Sequence, residues 1–313
     1  MSKGERRLVE WLAARFRATA ERVPIGIGDD MAAVRLGGGE VLLTADMLMD
    51  GVDFHTEEHS PQIIGRKALA CSLSDCAAMA VRPVAAIVSL ALPNAWSMEQ
   101  AQALYAGMEP LAREFDVNIV GGDTNSWDGK LVIDVCIAAE AWPGLAPVRR
   151  DGARVGDLIC ISGQLGGSIL GHHLSFDPRV RLARDLRMQL GGDLHAMMDI
   201  SDGVLLDLAR MCEASGVGAE LDAARLSQMA SADARTAASS DGRSVLDHVL
   251  ADGEDFELLC AVAAHRAERI TNESDHTLWS GEPVGRFVER GLWLVHADGR
   301  REPVEPRGWE HFK

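Results

Sequence analysis

Residues 41–92 read VLLTADMLMDGVDFHTEEHSPQIIGRKALACSLSDCAAMAVRPVAAIVSLAL, and this stretch decides the fold class. Val41 to Thr44 is a short apolar run of the length expected for a buried strand. Ile63 to Ala80 carries Ile64, Leu69, Leu73 and Ala77 at helical spacing. Val84 to Leu92 is again apolar and stops at a proline, as a strand does. Strand, helix and strand in succession are the building unit of an α/β protein.

Outward from there, Met98 to Phe115 is helical in pattern, Asn118 to Val120 is a strand entering Gly121-Gly122, and Leu131 to Ala139 is a strand. On the other side, Leu8, Trp11, Leu12, Arg15 and Phe16 predict an opening amphipathic helix that ends before Pro24. A break falls near Pro143-Gly144 and Pro147. Beyond it, Leu158 to Ser162 is a strand running into the glycine-rich segment 163–171, and Asp202 to Ser215 is an amphipathic helix with Leu205, Leu208, Ala209 and Cys212 on one face. The expectation is two domains, 1–145 and 146–313, which suits 313 residues. Ala223 to Ser244, rich in Ala, Ser and Asp, reads as a mobile surface loop or a weakly ordered helix.

Composition narrows the function. Lys and Arg total 31 against 47 Asp and Glu, a net charge of −16 that would repel a nucleic-acid backbone. No apolar run approaches the length of a membrane span, and charges interrupt the N-terminal apolar residues where a signal peptide needs a continuous core. The six cysteines form no CxxC pair and read as reduced core thiols, which points to the cytoplasm.

Five short motifs share one design: GIGDD at 26–30, TAD at 44–46, SD at 74–75, GGDT at 121–124 and DISDG at 199–203. Each sets an aspartate beside Gly, Ser or Thr, so that a hard oxygen projects from a strand end or turn. Asp30, Thr44, Asp46, Asp75, Asp123, Asp199 and Asp202 would repel one another unless cations lie between them. Magnesium takes few carboxylates and completes its shell with water and phosphate, so the set implies several ions with a polyphosphate. Any one such motif is equally an ordinary turn or N-cap aspartate. The usual nucleotide signatures are absent: there is no GxxxxGK[ST], and Met31 stands where GxGxxG needs its last glycine.

The motifs also occur in a telling order: GIGDD, TADMLMDGVDF, KALACSLSDCAAMAVRP, IVGGDT, RRDGARVGDLICISGQLG, DISDG, GEDFELL and GWEHF, from about residue 24 to 312. In this the chain resembles the thiamine-monophosphate kinases, whose superfamily includes aminoimidazole ribonucleotide synthetase and selenophosphate synthetase; no Cys-bearing glycine loop precedes GIGDD, which weakens the likeness to the last. The resemblance implies a mixed α/β fold of two domains. The first would bind ATP and Mg²⁺ and contribute strands to a barrel across a homodimer, and the second, also α/β, would complete the active site. It implies a kinase that passes the ATP γ-phosphoryl group to thiamine monophosphate.

Carried over by motif, Asp30, Thr44, Ala45, Asp46, Asp75, Asp123, Asp199 and Asp202 match metal ligands, Ala45 through its backbone carbonyl. Gly122, Asp123, Arg150 and Ser201 match nucleotide contacts, and Asp53, Glu254 and Trp309 match acceptor contacts. Asp46, Asp75, Asp123 and Arg150 are then the catalytic set. Elementary chemistry agrees, because phosphoryl transfer asks mainly for positioned anions and neutralised charge. The acceptor phosphate, with a second pKa of about 6, is already ionised and needs no general base.

Three departures stand out. Asp53 replaces a more usual His, an anion beside a substrate phosphate that a metal or His55 would have to offset; Ala45 replaces a Thr; and Asp252 replaces a glycine. They keep two rivals open: a superfamily enzyme using ATP on another small acceptor, and a nucleotide-binding regulatory protein without turnover. His55 to His59 also fits HxxEH, a zinc-peptidase pattern, but Gly51 and Pro61 leave little room for the helix it needs. His172-His173 are neighbours that face different ways and read as exposed or packing residues.

Overall fold

The structure, a computed structural model, describes residues 10–14, 21–266 and 283–309. Residues 10–14 are helical, and the rest of the expected opening helix lies outside the described residues.

Two mixed sheets organise the chain. The first contains β1 (Ala32–Leu36), β2 (Gly39–Met49), β3 (Val81–Pro93), β4 (Asn118–Trp127) and β5 (Val132–Ala141), in the order β1-β2-β5-β3-β4. The pair β3 and β4 is parallel, and the other neighbours are antiparallel. Helices α1 (Pro61–Ala78) and α2 (Met98–Glu114) connect them. The second sheet contains β6 (Leu158–Ile161), β7 (Leu194–Asp199), β8 (Gly218–Asp222), β9 (Leu258–Val262), β10 (Gly285–Val288), β11 (Leu292–Val295) and β12 (Arg301–Pro303), ordered β12-β11-β8-β10-β6-β9-β7. This is the mixed α/β architecture expected from the sequence.

Helix α1 begins as its sequence dictates. Ser60 accepts from the Ile63 N–H at 3.4 Å, and Pro61 fills the first position, where no N–H is needed. The helix is apolar nearly all round, from Ile64 to Ala78, which is the pattern of a helix buried on every side. It packs on β2 and β5 of the first sheet, on β7 of the second, and on the helix Val180–Leu190. One core cluster accordingly runs through both halves of the chain, from Leu42 and Val135 to Leu186 and Cys260. Glycines let α1 and α2 touch: a Cβ at Gly65 would lie 2.0 Å from the Leu104 carbonyl oxygen, and one at Gly107 would lie 1.9 Å from that of Gln62.

Two strands outrun their sequence patterns. The strand expected at 41–44 continues to Met49, because β2 keeps alternating with Asp46 on its inner face. An inward acid ended the apolar run on paper without ending the strand. The strand expected at 118–120 continues to Trp127, since Gly121 and Gly122 pair with Ile87 and Val88 after a register shift. A Cβ at Gly122 would lie 1.8 Å from the Val88 carbonyl oxygen, so this glycine serves close approach and does not end the strand.

In the second half, helix Val204–Ser215 starts two residues later than expected, because Gly203 at φ 112 cannot be helical and leaves Asp202 in the loop. Segment 223–244 takes the helical alternative of the sequence reading and not the loop. It forms two helices, Ala223–Gln228 and Ala232–Asp241, capped by Asp222 and Ser231, with Leu226 and Ala234 fully buried.

On the outer face of the first sheet, Leu43, Met47 and Met49 of β2 and Ile87 of β3 are apolar and exposed among the described residues. Among the described residues, no helix is long and apolar enough to cross a membrane.

Candidate active site

A polar side chain on so buried a helix as α1 must find a partner. Ser72 donates to the Val135 carbonyl oxygen at 2.9 Å, and Ser74 donates to Asp199 Oδ2 at 2.6 Å. Asp75 accepts a short hydrogen bond from Thr44 of β2. These contacts bring the SD motif of α1, the TAD motif of β2 and the end of β7 to one place.

The GIGDD loop closes it. Oxygens of Asp30, Asp75 and Asp199 all lie within 4.8 Å of one another, from three segments remote in sequence. Asp46 faces the same centre, and its Oδ2 is buried without a hydrogen-bond partner among the described residues. Burial pushes Asp199 up to about 8 and Asp46 up to about 6. Neighbouring carboxylates add to both, while Ser74 and Ser72 respectively pull the other way. Asp75 is driven well above the usual carboxylate range, first by burial and then by Asp46, Asp199 and Asp30. Carboxylates that repel at this spacing, one with an orphaned buried oxygen, fit divalent cations held between them.

Asp29, passed over in the sequence, belongs to this centre too. It is nearly buried and pushed to about 6, by burial and then by Asp30. Arg150 reaches both acids, donating to Asp30 at 2.6 Å and lying 3.6 Å from Asp29. Burial works against its charge, but the two carboxylates outweigh burial and hold it protonated. Arg149 is more exposed and pairs with Asp151.

The remaining site candidates are spread more widely. Ala45 is exposed on the outer face of β2, so its carbonyl is all it could offer a metal. Register places Asp123 beside Ser89, and Ser89 beside Asp134, on that same outer face, where Asp123 bonds to the Thr124 N–H at 2.9 Å. Asp202 pairs with Arg210 at 2.6 Å, and its carbonyl oxygen accepts from the Trp309 N–H at 2.9 Å. Neither Asp123 nor Asp202 joins the three converging carboxylates. The loop holding Ser201 and Asp202 is organised by Asp207, which the sequence reading missed. Its Oδ2 accepts from the N–H groups of Ser201, Asp202 and Gly203 at 3.0–3.1 Å. An acid in the first turn of a helix is the signal that could have found it.

Glu254 sits beside this loop at φ +62 and donates its N–H to the Ser201 carbonyl oxygen at 2.7 Å. Its carboxylate meets Lys67 of α1 at 2.5 Å. Lys67 was also missed; its signal is a cation beside Arg66 at the start of the apolar run of the helix. Asp53 turns its carboxylate onto the Met49 N–H at 2.7 Å. The cation at Asp53 is Lys67, on the carbonyl oxygen, and His55 instead gives its N–H to His59 at 3.3 Å. Asp252, the other departure, accepts from the Gly167 N–H at 2.9 Å and contacts His248 at 2.7 Å. Trp309 is half exposed. His55 and His59 lie in turns, with no helix to support a zinc-peptidase pair. Burial lowers His173 to about 4, and its ring lies against the Ser168 carbonyl oxygen, a packing histidine as expected.

Comparison with known proteins bears on this geometry. The family models for AIR synthase related proteins match residues 28–141 with the N-terminal domain and 152–291 with the C-terminal domain. A thiamine-monophosphate kinase of Rhodopirellula baltica is 40% identical, covering 98% of this chain and 97% of that protein. One of Mycobacterium tuberculosis is 35% identical, covering 95% and 89%. Among solved structures, AaThiL complexed with AMPPCP and TMP superposes with a TM-score of 0.81 at 26% identity, covering 97% of this chain and 96% of that one.

Proposed function

We infer the activity from one premise, that the chain belongs to the thiamine-monophosphate kinase family. It is a kinase that transfers the γ-phosphoryl group of ATP in line to thiamine monophosphate, giving thiamine diphosphate. The observation that carries the reading is the meeting of Asp30, Asp75 and Asp199 beside the unpartnered Asp46 oxygen.

Asp30, Asp46, Asp75 and Asp199 are the residues we assign to Mg²⁺, with Thr44 holding Asp75 in place. Bound there, the ions would neutralise the triphosphate charge and that of the moving phosphoryl group. The protein's own part is positioning. Arg150, held by Asp29 and Asp30, is a part-buried guanidinium fork suited to phosphate oxygens. Gly122, Asp123 and Ser201 are the further residues we assign to nucleotide, Ser201 lying on a loop fixed by Asp207. The acceptor already carries an ionised oxygen, so no side chain need remove a proton. Asp53, Glu254 and Trp309 are the residues we assign to the acceptor. The turn of the Asp53 carboxylate onto Met49 supports thiamine monophosphate despite the usual His.

We place the domain boundary at 145/146, between the last strand of the first sheet and the first of the second. The exposed Leu43, Met47, Met49 and Ile87 on the outer face of the first sheet support a homodimer, since clustered exposed apolar side chains mark an interaction surface. All six cysteines are free, which supports a reducing, cytoplasmic setting.

The test is thiamine diphosphate formation by the purified protein with ATP and Mg²⁺, with thiamine monophosphate and free thiamine as parallel acceptors. Product from the monophosphate alone, abolished by chelation, is expected. Absence of product from the monophosphate overturns the assignment.

A further inference from the structure

Lys67 is fully buried in the first half of α1, yet it carries a charge. Its ammonium donates to the Asp53 carbonyl oxygen and to Glu254 Oε1, each at 2.5 Å. These partners come from opposite halves of the chain. Asp53 lies in the turn after β2, and Glu254 lies in the loop before β9, held at its unusual φ by the bond to Ser201. Stability alone does not account for such a lysine, because a buried ion pair is often no better than well-packed apolar side chains. Apolar packing is available, since Ile64, Ala68 and Leu69 are all fully buried on the same helix. Both contacts fall on the positions assigned to the acceptor, and the carboxylates assigned to metal bond elsewhere.

We propose that Lys67 is a positioning residue for the acceptor: one buried ammonium ties the Asp53 turn to the Glu254 carboxylate and so fixes the two walls between which thiamine monophosphate is held. The inference rests on the kinase reading above. It separates the two substrates, because Lys67 bears on the acceptor walls while ATP depends on the carboxylate cluster.

The experiment is steady-state kinetics of the full-length wild type and the variants K67M, E254Q and K67M/E254Q, with ATP affinity measured separately by calorimetry. K67M keeps the length of the side chain and removes its charge. The expected result is a rise of about tenfold or more in the KM for thiamine monophosphate, the scale of losing one partner of a buried pair. ATP affinity should stay within about twofold of wild type, and the double variant should lose less than the product of the two single losses. The double variant leaves no unpaired buried charge and is compared with E254Q: adding K67M to E254Q must raise the KM for thiamine monophosphate further, through the lost tie to the Asp53 carbonyl oxygen, without changing ATP affinity, even if K67M alone does not fold. An unchanged KM for thiamine monophosphate, or equal losses for both substrates, overturns the role of Lys67. A wild type that turns over no thiamine monophosphate overturns the kinase reading instead, and this inference with it.

Discussion

The Ser74 hydroxyl, on the central helix of the first half, donates at 2.6 Å to Asp199, the last residue of a strand in the second half. This bond ties α1 to the end of β7 at the point where carboxylates converge. Replacing Ser74 with Ala should destabilise the metal-free protein by about 1–2 kcal/mol, since a buried carboxyl group loses its hydrogen-bond donor. Apparent Mg²⁺ affinity should fall by about tenfold. Urea unfolding in chelator and a Mg²⁺ titration of activity read the two effects; a variant with wild-type values in both would remove the bond from the account.

Asp46→Asn removes a charge with almost no change of volume. Turnover should drop by about 100-fold or more, because an anion meant for a cation is gone. In chelator, the melting temperature should rise, since one of several mutually repelling carboxylates is neutral. Retained activity would exclude Asp46 from the metal cluster.

The acidity of the centre sets a pH dependence. Asp46 and Asp199 are raised from 3.8 to about 6 and about 8, so the folded protein binds more protons than the unfolded chain between these limits. The contribution to stability is full below about 4 and is lost as pH rises through the folded values. Metal-free protein should therefore melt at a lower temperature at pH 8 than at pH 5.5. Mg²⁺, which competes with those protons, should raise the melting temperature more at pH 8. Thermal melts with and without chelator check both signs, and a larger metal effect at pH 5.5 would contradict the assignment.

Gly122→Ala puts a methyl group 1.8 Å from the Val88 carbonyl oxygen. It should destabilise the protein by about 1–3 kcal/mol by forcing β4 from β3. ATP affinity should weaken at the same time if the backbone at Gly122 contacts nucleotide. Denaturant unfolding and calorimetry with ATP separate the two, and wild-type ATP affinity in the variant would place the nucleotide elsewhere.

Met47 is 62% exposed on the outer face of β2. A lysine there should stop a second copy from covering the sheet, while its side chain points away from the inner carboxylates. Sedimentation equilibrium should show a dimer for wild type and a monomer for Met47→Lys; a monomeric wild type would dismiss the homodimer.

Much of this protein could be read before its structure. The apolar pattern of α1 and the strand runs depend on neighbours a few residues away, so the sequence determined these elements and their α/β succession. The aspartate motifs were equally legible, because glycine and serine beside an acid have a local meaning, and their order along the chain identified the family. What the sequence could not decide was which of those acids meet. Asp30, Asp75 and Asp199 converge because α1 is enclosed between both sheets, whereas Asp123 falls on the opposite face of the first sheet through strand register. Lys67, Asp29 and Asp207 gained their meaning from partners that folding supplied. Spacing along the chain sets turns and faces, but the distance between remote carboxylates is set by strand order and by the packing of one half on the other, and those are properties of the tertiary structure alone.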